Sequence, residues 1–246
     1  MLIVVASISG APGVSTMALG MAALWPKRPA LLVEADPAGG VIAARFGLAQ
    51  EPGLASLAAA ARHGGAVVGS APFVQQIPLF FHVVVGPGSP ETATGAVGVL
   101  AMHPDEALGA LAPVVVADVG RLYVGSPALG LLGAADAVVV VAGPTTEYLD
   151  HLDHRLGVVR EAARSAPVGL ALNGKGDYPA DDVAGRLGVP VWAQLPRDRW
   201  GAGVLSGRLT GRAWGRTRLG QAVRDLAATL ANSLTAVAED RAEVRR

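Results

Sequence analysis

Hydrophobic positions along the chain fall into short, nearly continuous runs separated by longer stretches of mixed pattern. The runs cover residues 2–6, 31–34, 80–85, 114–117, 137–142, 168–172 and 191–194, and they are rich in β-branched side chains. Several are apolar at every position instead of alternating, as expected of strands covered on both faces. Between them lie Ala- and Leu-rich stretches of helical length at 16–24, 54–62, 104–111, 148–164 and 181–187. The alternation predicts an α/β fold: one domain over residues 1–238, a mainly parallel twisted sheet flanked by helices and joined by right-handed crossovers. A last helix is expected over 219–238. Its stripe of Leu219, Val223, Leu226, Leu230, Leu234 and Val237 repeats at helical spacing and reads as core packing rather than a membrane-binding face. Residues 239–246 then form a short charged tail.

Composition narrows the function classes. The 246 residues are 51% hydrophobic and carry 20 basic against 20 acidic side chains, which excludes disorder and binding to polyanions by the chain as a whole. The absence of cysteine rules out disulfides, thiolate metal sites, thiol catalysis and iron–sulfur clusters. The first residues lack the basic region of a signal peptide, and no stretch is apolar for long enough to span a membrane. A soluble, cytoplasmic protein is expected.

The first strand runs into Ser9, Gly10, Ala11, Pro12, Gly13, Val14, Ser15 and Thr16, after which a helix begins. Small residues at this junction let backbone N–H groups converge on an anion, with the helix dipole adding to the attraction. Ser15 and Thr16 fall in the first helical turn, where a hydroxyl either caps the helix or reaches Mg²⁺. By itself the same pattern also describes a tight turn that binds nothing. Two further segments favour a ligand: Asp36-Pro37-Ala38-Gly39 after the second strand, and Asp118 at the end of a later one. Ligands of open α/β sheets bind at this carboxyl edge.

With these segments in hand, the chain resembles the ParA/MinD family of nucleotide-dependent positioning and partitioning proteins. The shared markers are the deviant P-loop at residues 9–16, Asp36 to Gly39, Asp118, then Leu172-Asn173-Gly174 and Leu195-Pro196-Arg197-Asp198, in family order. The resemblance implies a P-loop NTPase-like fold, ATP and Mg²⁺ as cofactors, and a homodimer. Gly10, Ala11, Pro12, Gly13, Val14, Ser15 and Thr16 would then surround the phosphates. Ser15 and Asp118 would hold Mg²⁺, Asp36 would orient the attacking water, and Asn173, Pro196, Arg197 and Asp198 would edge the adenine.

The departures from the family pattern carry equal weight. Both motif lysines are missing, with Ser9 at the signature position and Val14 at the P-loop position. Phosphoryl transfer depends on positioned cations, and the loss of one such contact costs roughly a hundredfold to a thousandfold in rate. Arg121, just after Asp118, is the candidate substitute, and one that the sequence does not favour. Backbone amides, the helix dipole and Mg²⁺ need no lysine, so nucleotide binding and the absence of binding both stay open.

Two other features bear on function. Arg197, Arg199, Arg208, Arg212, Arg216, Arg218 and Arg224 cluster with Trp200 and Trp214. Such a patch suits either DNA phosphates or a subunit interface; the neutral chain favours the interface. Asp150, His151, Asp153 and His154 have helical metal-site spacing, but a solvated helix face is the favoured reading, since no further His is near in sequence. The reading adopted is a dimeric scaffold or regulator with a degenerate nucleotide site and weak or no hydrolysis. The alternatives are an ATPase that switches between monomer and dimer, and a nonspecific DNA-associating partition protein.

Overall fold

The computed structural model describes residues 1–10, 12–27, 29–62, 69–78, 81–176 and 178–244, with the backbone alone for Arg212 and residues 237–244. The chain runs β1 (Leu2–Ser7), α1 (Val14–Leu24), β2 (Leu31–Glu34), α2 (Ile42–Phe46), α3 (Leu54–Arg62), β3 (Gln75–Gln76) and β4 (His82–Val84). It continues through α4 (Pro90–Met102), α5 (Pro104–Leu108), β5 (Val115–Arg121), α6 (Leu129–Leu132), β6 (Ala137–Ala142), α7 (Thr146–Ala163) and β7 (Val168–Asn173). Last come α8 (Ala180–Leu187), β8 (Val191–Leu195), α9 (Arg199–Leu205), a 3-10 turn (Arg212–Arg216) and α10 (Arg218–Val244). Each expected strand forms. The strand expected over 80–85 is confined to His82–Val84, and Phe80 lies outside the described residues. The helical backbone of α10 runs on through most of the segment expected as a tail.

The strands make one eight-stranded sheet in the order β3-β4-β2-β5-β1-β6-β7-β8, parallel throughout except for the β3–β4 pair at one edge. Alternate side chains of each central strand enter opposite cores, which explains the unbroken apolar runs. Leu2, Val4 and Ala6 of β1 face one core with Val138 and Val140 of β6 and with Leu152 and Leu156 of α7. Ile3 and Val5 face the other with Met17, Leu19, Val223 and Leu226 from α1 and α10. β1 lies between β5 and β6, and the chain leaves it first toward β2 and later builds toward β8. That reversal of direction is a topological switch point, and it opens the carboxyl edge there.

Candidate functional site

The loop between β1 and α1 lies over this switch point. Gly10 (φ 60°) and Gly13 (φ 101°) adopt left-handed backbone, which their lack of a Cβ permits. No side chain caps α1 at Gly13, so its first N–H groups are left for an anion. The Asn173 amide donates to the Pro12 carbonyl at 2.5 Å and braces the loop from the end of β7. Ala11 lies outside the described residues. Ser9 is buried, and Val14 packs into the apolar core shared by α1 and α10 with 7% of its surface exposed. Position 14 thus lacks a cation and also points a side chain into the protein interior.

Three carboxylates gather beside the loop. Glu34 and Asp118 are register partners on β2 and β5. Asp118 is fully buried, and burial pushes its carboxyl up to about 7. The Ser15 hydroxyl and the Gly120 N–H pull it back, while the charges of Glu34 and Asp36 push it further up. Oδ1 accepts from the Gly120 N–H at 3.1 Å; Oδ2 is buried with no hydrogen-bond partner. An orphaned carboxylate oxygen beside a hydroxyl fits Mg²⁺, which takes such a pair together with water and phosphate oxygens. Among the described residues, no three His, Asp or Glu side chains form a metal cage without such help. Asp36 is half-buried; burial raises its carboxyl, partly offset by the Ala38 N–H, which donates to Oδ1 at 2.8 Å.

Glu34 has a role that the sequence does not disclose. Its Oε1 accepts from the N–H groups of Val41 and Ile42 at 2.6 and 2.9 Å, and its Oε2 from Gly86 at 2.9 Å. One buried carboxylate therefore ties together the segment after Asp36, the start of α2 and the loop after β4. Burial raises its carboxyl, against these N–H groups and the Arg45 charge.

A cleft of about 300 Å³ lies on the α1 side of the loop, lined by Gly13, Thr16, Asn173, Pro196, Arg197 and Arg199 among others. The loop and both segments assigned to the adenine edge thus meet at one cavity. Asp198 also borders it, but its carboxylate is engaged elsewhere. Oδ1 caps α9 through the N–H groups of Trp200 and Gly201 at 3.1 and 2.9 Å. Burial raises the Asp198 carboxyl, yet the Thr217 hydroxyl and the backbone N–H groups of Gly201, Leu219 and Trp200 outweigh it and the net shift is downward.

Arg197, Arg199, Arg208, Arg216 and Arg218 are all exposed, and none has an ion-pair partner among the described residues. The Arg212 side chain lies outside the described residues. The two tryptophans separate: Trp200 is 39% exposed, whereas Trp214 is buried in the core. The His154 Nδ1–H donates locally to the Asp150 carbonyl (2.9 Å) on the open face of α7, and Arg186 pairs with Asp153 at 3.0 Å. No helix among the described residues is long and apolar enough to cross a membrane.

No protein-family model and no curated protein matches the sequence. Solved structures do match by fold. The cell division ATPase MinD of Pyrococcus furiosus is 19% identical with a TM-score of 0.73, over 94% of this chain and 98% of that one. The septum site-determining protein MinD of Pyrococcus horikoshii, complexed with Mg-ADP, is 18% identical with a TM-score of 0.72, over 92% of this chain and 93% of that one. A ParA-family ATPase of Chlorobium tepidum is 19% identical with a TM-score of 0.69, over 92% and 97%. The chain has the P-loop fold of the MinD and ParA ATPases.

Proposed function

We propose that the chain is a ParA/MinD-like positioning or partitioning protein that binds Mg-nucleotide without productive turnover and acts in the cytoplasm as a dimeric scaffold or regulator. The observation that carries this reading is the contrast between two positions of one loop. Ser15 lies beside the buried Asp118 carboxylate, whose Oδ2 is left without a partner, while Val14 is buried where a phosphate-binding lysine would stand. The loop amides and the N-terminus of α1 would hold the phosphates, and the cleft at Asn173, Pro196 and Arg197 would hold the nucleoside. Bound Mg²⁺ would neutralise phosphate charge at Ser15 and Asp118. Asp36 stands at the same edge and could orient a water, but the loop provides no cation for the charge that develops on a transferring phosphoryl group.

Steady-state ATP hydrolysis tests this reading. Turnover at background in wild type and in Asp36→Ala agrees with it; robust wild-type turnover lost in Asp36→Ala sinks it. The exposed arginines, which have no ion-pair partner among the described residues, support DNA association as a second reading. That reading requires affinity that falls steeply with salt.

A further inference from the structure

Helix α7 approaches the loop with two polar side chains from one face. Tyr148 and Arg155 are seven residues apart, with the buried Leu152 between them on the same stripe. The Tyr148 ring is seated between two glycines. An ideal Cβ at Gly10 would stand 2.6 Å from the phenolic oxygen, and one at Gly143 would stand 2.5 Å from Cδ2. Neither position tolerates a side chain while the ring is there. Arg155 donates from Nη1 to the Ile8 carbonyl at 3.4 Å. The two chain neighbours of Ser9, at the signature-lysine position, are thus met from α7: Gly10 by the Tyr148 hydroxyl and Ile8 by the Arg155 guanidinium.

We propose that α7 supplies, through Tyr148 and Arg155, the anion-binding groups that the loop lacks at Ser9 and Val14. The ligand is the phosphate chain of a nucleoside di- or triphosphate. Arg155 is half-buried and has no carboxylate partner among the described residues. A guanidinium offers five N–H donors and remains charged at any physiological pH, so the bond to Ile8 leaves most of its donors free. Arg121 is the poorer candidate: it is exposed at the end of β5 beside Ser7, and its side chain has no hydrogen bond or ion pair among the described residues. Arg197 serves the nucleoside side of the cleft instead.

This inference rests on the nucleotide-binding reading above, and calorimetry separates the two. Mg-ATP, Mg-ADP, adenosine and inorganic phosphate are titrated into wild type, Arg155→Ala, Arg155→Lys and Tyr148→Phe. Arg155→Ala is expected to weaken ATP and ADP by about tenfold or more, Tyr148→Phe by about threefold, and neither to change adenosine. Arg155→Lys restores most of the loss, and ligand-free melting temperatures stay within a few degrees of wild type. Equal ATP affinity in all four proteins, or a matching loss for adenosine, overturns the role of α7 while leaving the nucleotide site standing. Wild type that binds adenosine but no phosphate-bearing ligand any more tightly overturns both.

Discussion

The Asp36 carboxylate lies directly against Gly120, so closely that a Cβ added at Gly120 would overlap it. Gly120 also has φ 61°, a left-handed conformation that disfavours other residues. Gly120→Ala therefore combines backbone strain with expulsion of the carboxylate. A loss of about 1–3 kcal/mol is expected in chemical denaturation. Asp36→Ala in the same background should recover part of it, because the overlap is then gone. Additive losses in the double variant would show that the two residues are not coupled.

The Asp118 carboxyl makes the ligand-free protein sensitive to pH. Its folded pKa of about 7 lies above that of an ordinary aspartate, so the folded state holds a proton that the unfolded state releases. The associated stability is complete below about pH 4 and is lost as pH rises toward 7, on the order of 4 kcal/mol at most. Glu34 and Asp36 are shifted in the same direction. Urea denaturation without magnesium should accordingly show wild type losing stability between about pH 4 and 7, and Asp118→Asn losing much less. Mg-nucleotide should stabilise wild type more at pH 8 than at pH 6, since binding must displace the proton.

The strands were legible because a sheet covered on both faces demands apolar side chains at every position. β5 outlasted its expected end because Asp118 is a polar residue inside a strand, facing the Ser15 side; sequence alone reads it as a terminus. α4 escaped notice because Gly95 and Gly98 interrupt its periodicity, although Ser89 and Pro90 mark its start as cap and first-turn residue. The loop, Asp36 and Asp118 were recognisable by order and spacing. Glu34 was not, since its partners are backbone amides up to 52 residues away. Tyr148 and Arg155 were equally hidden: their approach to the loop depends on where α7 packs on the sheet, and no local pattern encodes it.

Replacing Val14 by lysine should not rebuild an ATPase. Val14 contributes to the core formed by α1 and α10, so lysine must either bury its stem there or leave a gap. A loss of about 1–3 kcal/mol is expected in thermal or chemical unfolding. Nucleotide affinity should rise modestly as charge is added, while turnover stays at background. Turnover rising a hundredfold or more would mean that the buried valine alone had silenced the site.

The arginine cluster should act as a protein contact. Asp198, the only acid within it, already serves as the α9 cap, so its neighbours Arg197 and Arg199 are not neutralised locally. Arg208→Glu with Arg216→Glu should change the sedimentation behaviour of the protein and leave its DNA affinity untouched. Tight DNA binding whose salt slope falls by about one unit per arginine removed would reverse that assignment.

The proposed dimer should not require nucleotide. Val124 is 79% exposed, Tyr123 48% and Val158 38%, and all three border a shallow hollow with Ile8 and Arg155 beside the phosphate loop. Apolar side chains left in water beside a functional edge favour burial against another surface. In the family pattern, a lysine at the Ser9 position crosses to the partner's phosphates, and serine is too short to do so. Apolar contacts must then hold the two copies together, and their association follows protein concentration rather than ATP. Light scattering over a dilution series should show the same dissociation midpoint with and without Mg-ATP. Val124→Glu should move that midpoint to at least about tenfold higher concentration in both conditions, because each copy would bury an unpaired carboxylate. A wild-type monomer that dimerises only on adding ATP would show instead that the crevice still works as a nucleotide-driven switch.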